Sequence, residues 1–160
     1  MNIPSKADWK GYEKDLDLQD FYHLVFGKRV EDIYYYFKNG AYISRADELL
    51  YSNKKVFQYY IYAFAFYLIL NLGKYDEEAK EVFLRLLLDR EEKDKGSVCS
   101  IYFNKVQLEC LNENNETYTL EISLKKIVDK IQKEYILGNV DKELYDEIPD
   151  LVRKINKLCR

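Results

Sequence analysis

The stretch from Val56 to Leu70 is apolar at every position except Gln58. A helix that is apolar on every side lies in the middle of a fold or in a bilayer. Two features select the middle. The run is shorter than the ~20 residues a membrane-spanning helix needs. It also carries Tyr59, Tyr60, Tyr62 and Tyr67, whose hydroxyls need partners when buried. The expected fold is therefore mainly α: a single-domain helical bundle over residues 1–160, built around a central apolar helix at about residues 56–72.

Turn chemistry agrees. Six Gly and two Pro in 160 residues leave few sharp turns, whereas a β-sandwich or barrel needs one about every 8–12 residues. Helices are predicted from Leu18 to Phe26, stopped by Gly27, and from Val30 to Phe37, ended before Asn39–Gly40. Ser44 is a predicted cap with Asp47 and Glu48 in the first turn, and Asn53 a predicted cap for the central helix, which Gly73 ends. From Tyr75 to Asp94 the spacing of Ala79, Val82, Phe83, Leu86 and Leu87 is that of one buried helix face. Asp76, Glu77 and Glu78 crowd its first turn, Lys80, Glu81 and Arg85 are assigned to solvent, and Glu91 to Gly96 reads as a charged exit.

Residues 98–122 admit two readings. Val98, Ile101, Tyr102, Val106 and Cys110 make a helical stripe. Val106, Leu108 and Cys110 also alternate, as do Tyr118, Leu120 and Ile122, which is the pattern of a β-hairpin near 106–122. Helix followed by loop is the preferred reading, because the upstream half is long for a strand. Beyond it, Leu124, Ile127, Val128, Ile131 and Tyr135 line a helix that stops near Gly138–Asn139. In the last helical stretch, from Leu144 to Leu158, Pro149 either makes a kink or opens a new helix.

Charge and motifs narrow the function classes. The net charge is −3, from 25 basic and 28 acidic residues, with no basic stripe; nucleic acid is not an expected partner. Cys99, Cys110 and Cys159 are odd in number and form no CxxC, which argues against a disulfide framework and against zinc. Cys99 and Cys110, about three helical turns apart, are read as small core residues. The first residues lack the apolar core of a secretion signal, so the expected compartment is the cytoplasm. No metal or cofactor is expected, and no membrane contact.

Catalytic motifs such as GxSxG, HExxH and GxxxxGK[ST] are absent. His23, with Asp20 one turn before it, could begin a catalytic pair, but no activated nucleophile accompanies it. An enzyme is not expected. The oddest compositional feature is 16 tyrosines. Tyr34, Tyr35 and Tyr36 point about 100° apart on a helix, so at least one must leave the core. Glu13, Asp15, Asp17 and Asp20 form an acidic stretch beside Trp9 and Tyr12. Such a surface can dock a basic partner, although an acidic run is most often a solvated face.

Several segments, read in order, resemble a known type of protein. They are Trp9–Asp17 (WKGYEKDLD), Phe26–Lys28 (FGK), Ala46–Leu49 (ADEL), Val56–Tyr60 (VFQYY) and Ala63–Phe66 (AFAF), followed by Phe83–Leu86 (FLRL) and Gly96–Val98 (GSV). This part of the chain is similar to immunity proteins of bacterial contact-dependent inhibition and other polymorphic-toxin systems. The resemblance implies a non-enzymatic cytoplasmic protein that blocks one cognate toxin domain by stoichiometric binding. The binding surface is expected at Trp9, Tyr12, Glu13, Asp15, Asp17 and Asp20, with Glu31 and Asp32 as lesser candidates. Two other classes remain open: a small helical enzyme using His23 and a carboxylate in a pocket, and a homo-oligomeric adaptor module.

Overall fold

A computed structural model describes residues 1–71, 77–111, 114–138, 141 and 143–160. Its helices are α1 (Leu16–Val25), α2 (Val30–Ile33), α3 (Tyr42–Tyr51), α4 (Lys54–Asn71), α5 (Glu77–Lys93), α6 (Leu124–Ile136) and α7 (Ile148–Leu158). Short 3-10 turns cover Lys6–Trp9, Tyr12–Lys14 and Tyr34–Phe37. Strands β1 (Val106–Leu111) and β2 (Thr117–Ile122) pair antiparallel, with Leu108 opposite Leu120. The fold is mainly helical with one small hairpin.

The central helix is where the apolar run placed it. From Val56 to Leu68 every residue of α4 except Gln58 is buried, and α2, α3, α5, α6 and two 3-10 turns pack against it. Its polar atoms bind the ends of neighbouring segments. Tyr60 Oη donates to the Val25 carbonyl at the end of α1 (2.7 Å), and Tyr62 Oη donates to the Ile101 carbonyl (3.2 Å). The Gln58 amide donates to Ser97 O and Ser100 Oγ. The tyrosines are thus core residues whose hydroxyls find carbonyl partners, each adding a second donor beside the backbone amide of Lys28 or Asn104. The two deeply buried phenols have pKa values raised by burial, that of Tyr62 to about 12.

Several local expectations change. Helix α1 is capped by Asp15, whose carboxylate accepts from the amides of Asp17 and Leu18; Gly27 follows the helix at φ +74°, as a C-terminal stop requires. Ser44 caps nothing, because α3 begins two residues earlier and the serine lies exposed within it. The Asn53 side chain precedes α4 but donates to the carbonyls of Asp8 and Lys10, tying down the N-terminal segment. Pro149 opens α7 in its first turn. Gly73, Tyr75, Asp76 and Asn139 lie outside the described residues.

The hairpin replaces the preferred helix over 98–111. Residues 98–103 form turns, and the alternating half of the pattern decides the rest: Leu108, Cys110 and Ile122 are buried while Gln107, Glu109, Thr119 and Glu121 face solvent. Helix α5 buries Ala79, Phe83, Leu86 and Leu87 as expected, with Val82 half-buried and Arg85 exposed, but Lys80 is also buried and Glu81 half-buried. Nor is its end a solvated exit. Arg90 Nη1 donates to the carbonyls of Leu50 and Ser52 at the end of α3, both at 2.7 Å. Glu91, also buried, accepts the amides of Gly96, Val98 (2.8 Å) and Cys99 (3.0 Å). Charged groups occupy the interior here because each satisfies backbone atoms that turns leave unpaired.

Cys99 and Cys159 are joined by a disulfide that fastens the turn after α5 to the end of α7, which corrects the expectation that no disulfide forms. An odd cysteine count excludes complete pairing, not one bond. Cys110 is the remaining free thiol and is buried under the hairpin.

Candidate functional site

Helix α1 lies against α3 and is preceded by the 3-10 turns that carry Trp9 and Tyr12. Its inner face buries Phe21 and Val25. At about 100° per residue, Asp17 and Asp20 fall on one side of that face and Tyr22 and Phe26 on the other. Leu16 and His23 project outward between them, Leu16 with 78% of its surface exposed.

The expected binding residues separate into groups. Trp9 is only 2% exposed, with its ring against Phe21, Tyr22 and Tyr60 at 5.3 to 6.0 Å. It is a core residue and cannot be a surface anchor, because the N-terminal segment folds back over α1 and α4. Tyr12 is half-buried, stacked on Tyr22 at 4.0 Å, and burial pushes its hydroxyl pKa upward. Tyr22 stacks in turn on the part-exposed Phe26 at 4.5 Å, so Tyr12, Tyr22 and Phe26 make an aromatic ladder along one flank of α1.

Glu13, Asp15, Asp17 and Asp20 are all exposed. Asp15 is committed to capping α1. Asp17 and Asp20 act electrostatically on Glu48 of α3, as does Asp47, and these two α3 acids were not among the expected site residues. Glu48 is 5% exposed; Arg45 holds one of its oxygens at 2.8 Å and the other, Oε2, has no hydrogen-bond partner. Burial above all, with Asp17, Asp20 and Asp47 contributing, raises the Glu48 pKa to about 8. The Arg45 guanidinium pulls the other way without overcoming burial. Asp47 could be placed here only once the start of α3 and its packing on α1 were known.

Glu31 and Asp32 belong elsewhere, at the hairpin. Glu31 Oε1 accepts the Glu109 amide of β1 at 3.2 Å. The hydrogen bond from Arg29, 3.1 Å away, holds the Asp32 pKa below its ordinary value, and Arg29 also reaches Glu109. None of Tyr34, Tyr35 and Tyr36 is fully buried; Tyr35 is the exposed one.

A cleft of about 1480 Å³ opens between residues 1–5, the start of α2, α4 and residues 104–108. Its charged lining is already paired: Lys55 with Asp8 and Lys105 with Glu121, both at 3.0 Å, and Arg29 with Asp32. His23 is not on this cleft; it is exposed on α1, edge-on to Tyr22. Among the described residues, no group of three or more His, Cys, Asp or Glu side chains is placed to hold a metal ion, and no helix is long and apolar enough to cross a membrane. No family model, curated protein or solved structure matches the chain.

Proposed function

We propose that the chain is a non-enzymatic immunity-type protein of the cytoplasm that neutralises a cognate bacterial toxin domain by stoichiometric binding. The observation that carries the reading is the acidic surface at the α1–α3 junction. Exposed Asp17 and Asp20 of α1 and Asp47 of α3 lie close enough together to act jointly on the Glu48 carboxyl. Carboxylates that concentrate negative potential on one face attract a basic partner and speed its association. A toxin that acts on nucleic acid carries such a basic surface, and covering it blocks substrate entry. Exposed Leu16 supplies apolar contact area beside the acids, and the Tyr12–Tyr22–Phe26 ladder adds more on the opposite flank of α1.

The test is binding of the purified chain to the toxin-like product of the neighbouring gene, measured by surface plasmon resonance. Asp17→Lys combined with Asp20→Lys and Asp47→Lys should slow association by roughly tenfold or more, and added salt should weaken the unmodified complex. Absence of a complex, or a complex indifferent to both salt and charge reversal, overturns the reading.

A further inference from the structure

The two edges of the hairpin are treated differently by the rest of the fold. Glu31 accepts the Glu109 amide, which shows that the backbone of Gln107, Glu109 and Leu111 points away from β2. The opposing residues on β2 then also point outward: Thr117, Thr119 and Glu121. The Glu121 carbonyl agrees, since it accepts from Lys126 Nζ at 2.8 Å rather than from β1. Helix α2 therefore covers the β1 edge, while among the described residues no strand lies on the outer side of β2. Among the described residues, the outward backbone groups of Thr117 and Thr119 have no protein partner. β2 also rises clear of the body along its length, from Ile122 fully buried at its base to Tyr118 at 40% exposed.

An uncovered edge is a template for another strand, and edges are usually blunted by proline, a bulge or lysine. TYTLEI itself has none of these, and Lys126 from the following helix meets the edge at its base, at the Glu121 carbonyl; the strand's one charge, Glu121, is paired with Lys105. We propose that this edge is a self-association surface, on which a second copy of the chain pairs its β2 antiparallel about Thr119 to make one continuous four-stranded sheet.

The register argues for a second copy. Antiparallel pairing requires outward-pointing residues to oppose outward-pointing residues. Centred on Thr119, the strand meets this condition at every position: Thr119 faces Thr119 of the second copy, and Thr117 faces Glu121. Glu121 O keeps a lone pair for the new amide beside Lys126. No like charges stand opposite each other. On the other face Tyr118 meets Leu120, an aromatic–aliphatic pair of the kind that stabilises ladders. The surface does not depend on the acidic face of α1, so the two proposals stand or fall separately.

Sedimentation velocity over a range of concentrations reads the association directly. The unmodified chain should pass from monomer to dimer as concentration rises. Thr119→Pro should abolish the dimer, because it removes the central amide donor while leaving the β1–β2 bonds intact. Thr119→Lys and Thr119→Glu should each weaken the dimer several-fold, since each places like charges opposite at the symmetry centre. An equimolar mixture of those two should restore it, because lysine then meets glutamate. Circular dichroism of each variant verifies that the fold is kept, as an exposed threonine side chain allows. A chain that stays monomeric at the highest concentration overturns the proposal. So does a dimer that persists in Thr119→Pro, which would lie on another surface, and so does failure of the mixture to recover.

Discussion

The Lys80 ammonium lies 2.7 Å from the Glu134 carboxylate, joining α5 to α6 with side chains 2% and 15% exposed. The contact is an ion pair without well-aligned hydrogen bonds. Removing one partner strands a charge in a low-dielectric interior. Lys80→Ala should therefore destabilise the protein by about 3–5 kcal/mol in urea unfolding, while Lys80→Met with Glu134→Leu should recover most of the loss. A single-variant loss below about 1 kcal/mol would mean that Glu134 regains water once lysine is gone.

Glu48 makes stability depend on pH in an unusual direction. The folded carboxyl keeps its proton up to about pH 8, against an ordinary value of 4.5. Between those values the folded state holds the extra proton. The stabilisation is complete below the lower value and is lost as pH rises through the upper one. Glu48→Gln keeps the neutral shape, so it should leave Tm nearly unchanged at about pH 5 and raise it at about pH 8.5. A lower Tm at the higher pH would show instead that the Arg45 ion pair governs the site.

Trp9 closes the core beneath α1, so its loss should register in folding. Trp9→Ala is expected to destabilise by roughly 3–5 kcal/mol, as large-to-small changes at buried aromatics do. Affinity for the proposed toxin partner should be unchanged in the protein that remains folded. Chemical unfolding and binding measured on the same preparation separate the two effects; intact stability with weakened binding would return Trp9 to the surface.

The Cys99–Cys159 bond closes a loop across 60 residues of sequence. Reduction should lower stability by about 4 kcal/mol on loop-entropy grounds and drop Tm by several degrees, and Cys159→Ser should do the same without reductant. In a reducing compartment the two residues would stand as thiols. Equal melting curves with and without reductant would show that the bond adds nothing to the fold.

The amino-acid sequence by itself determined the central helix, because an apolar run too short to span a bilayer, with tyrosine hydroxyls that need partners, belongs in the middle of a fold. It also determined most of the inner face of α5, where the apolar spacing is strict. Local pattern could not choose between helix and hairpin at residues 98–111, since both periodicities were present; packing of Leu108, Cys110 and Ile122 under the sheet chose the hairpin. The acidic stretch before and within α1 was legible, but its completion by Asp47 and Glu48 was not, because those residues come from another helix. Only tertiary structure decided that Trp9 turns inward, that Glu31 holds the hairpin, and that Lys80, Arg90 and Glu91 are buried. The physical reason is the same each time. A residue's charge or size is local, but whether it faces water depends on which distant backbone or side-chain groups reach it.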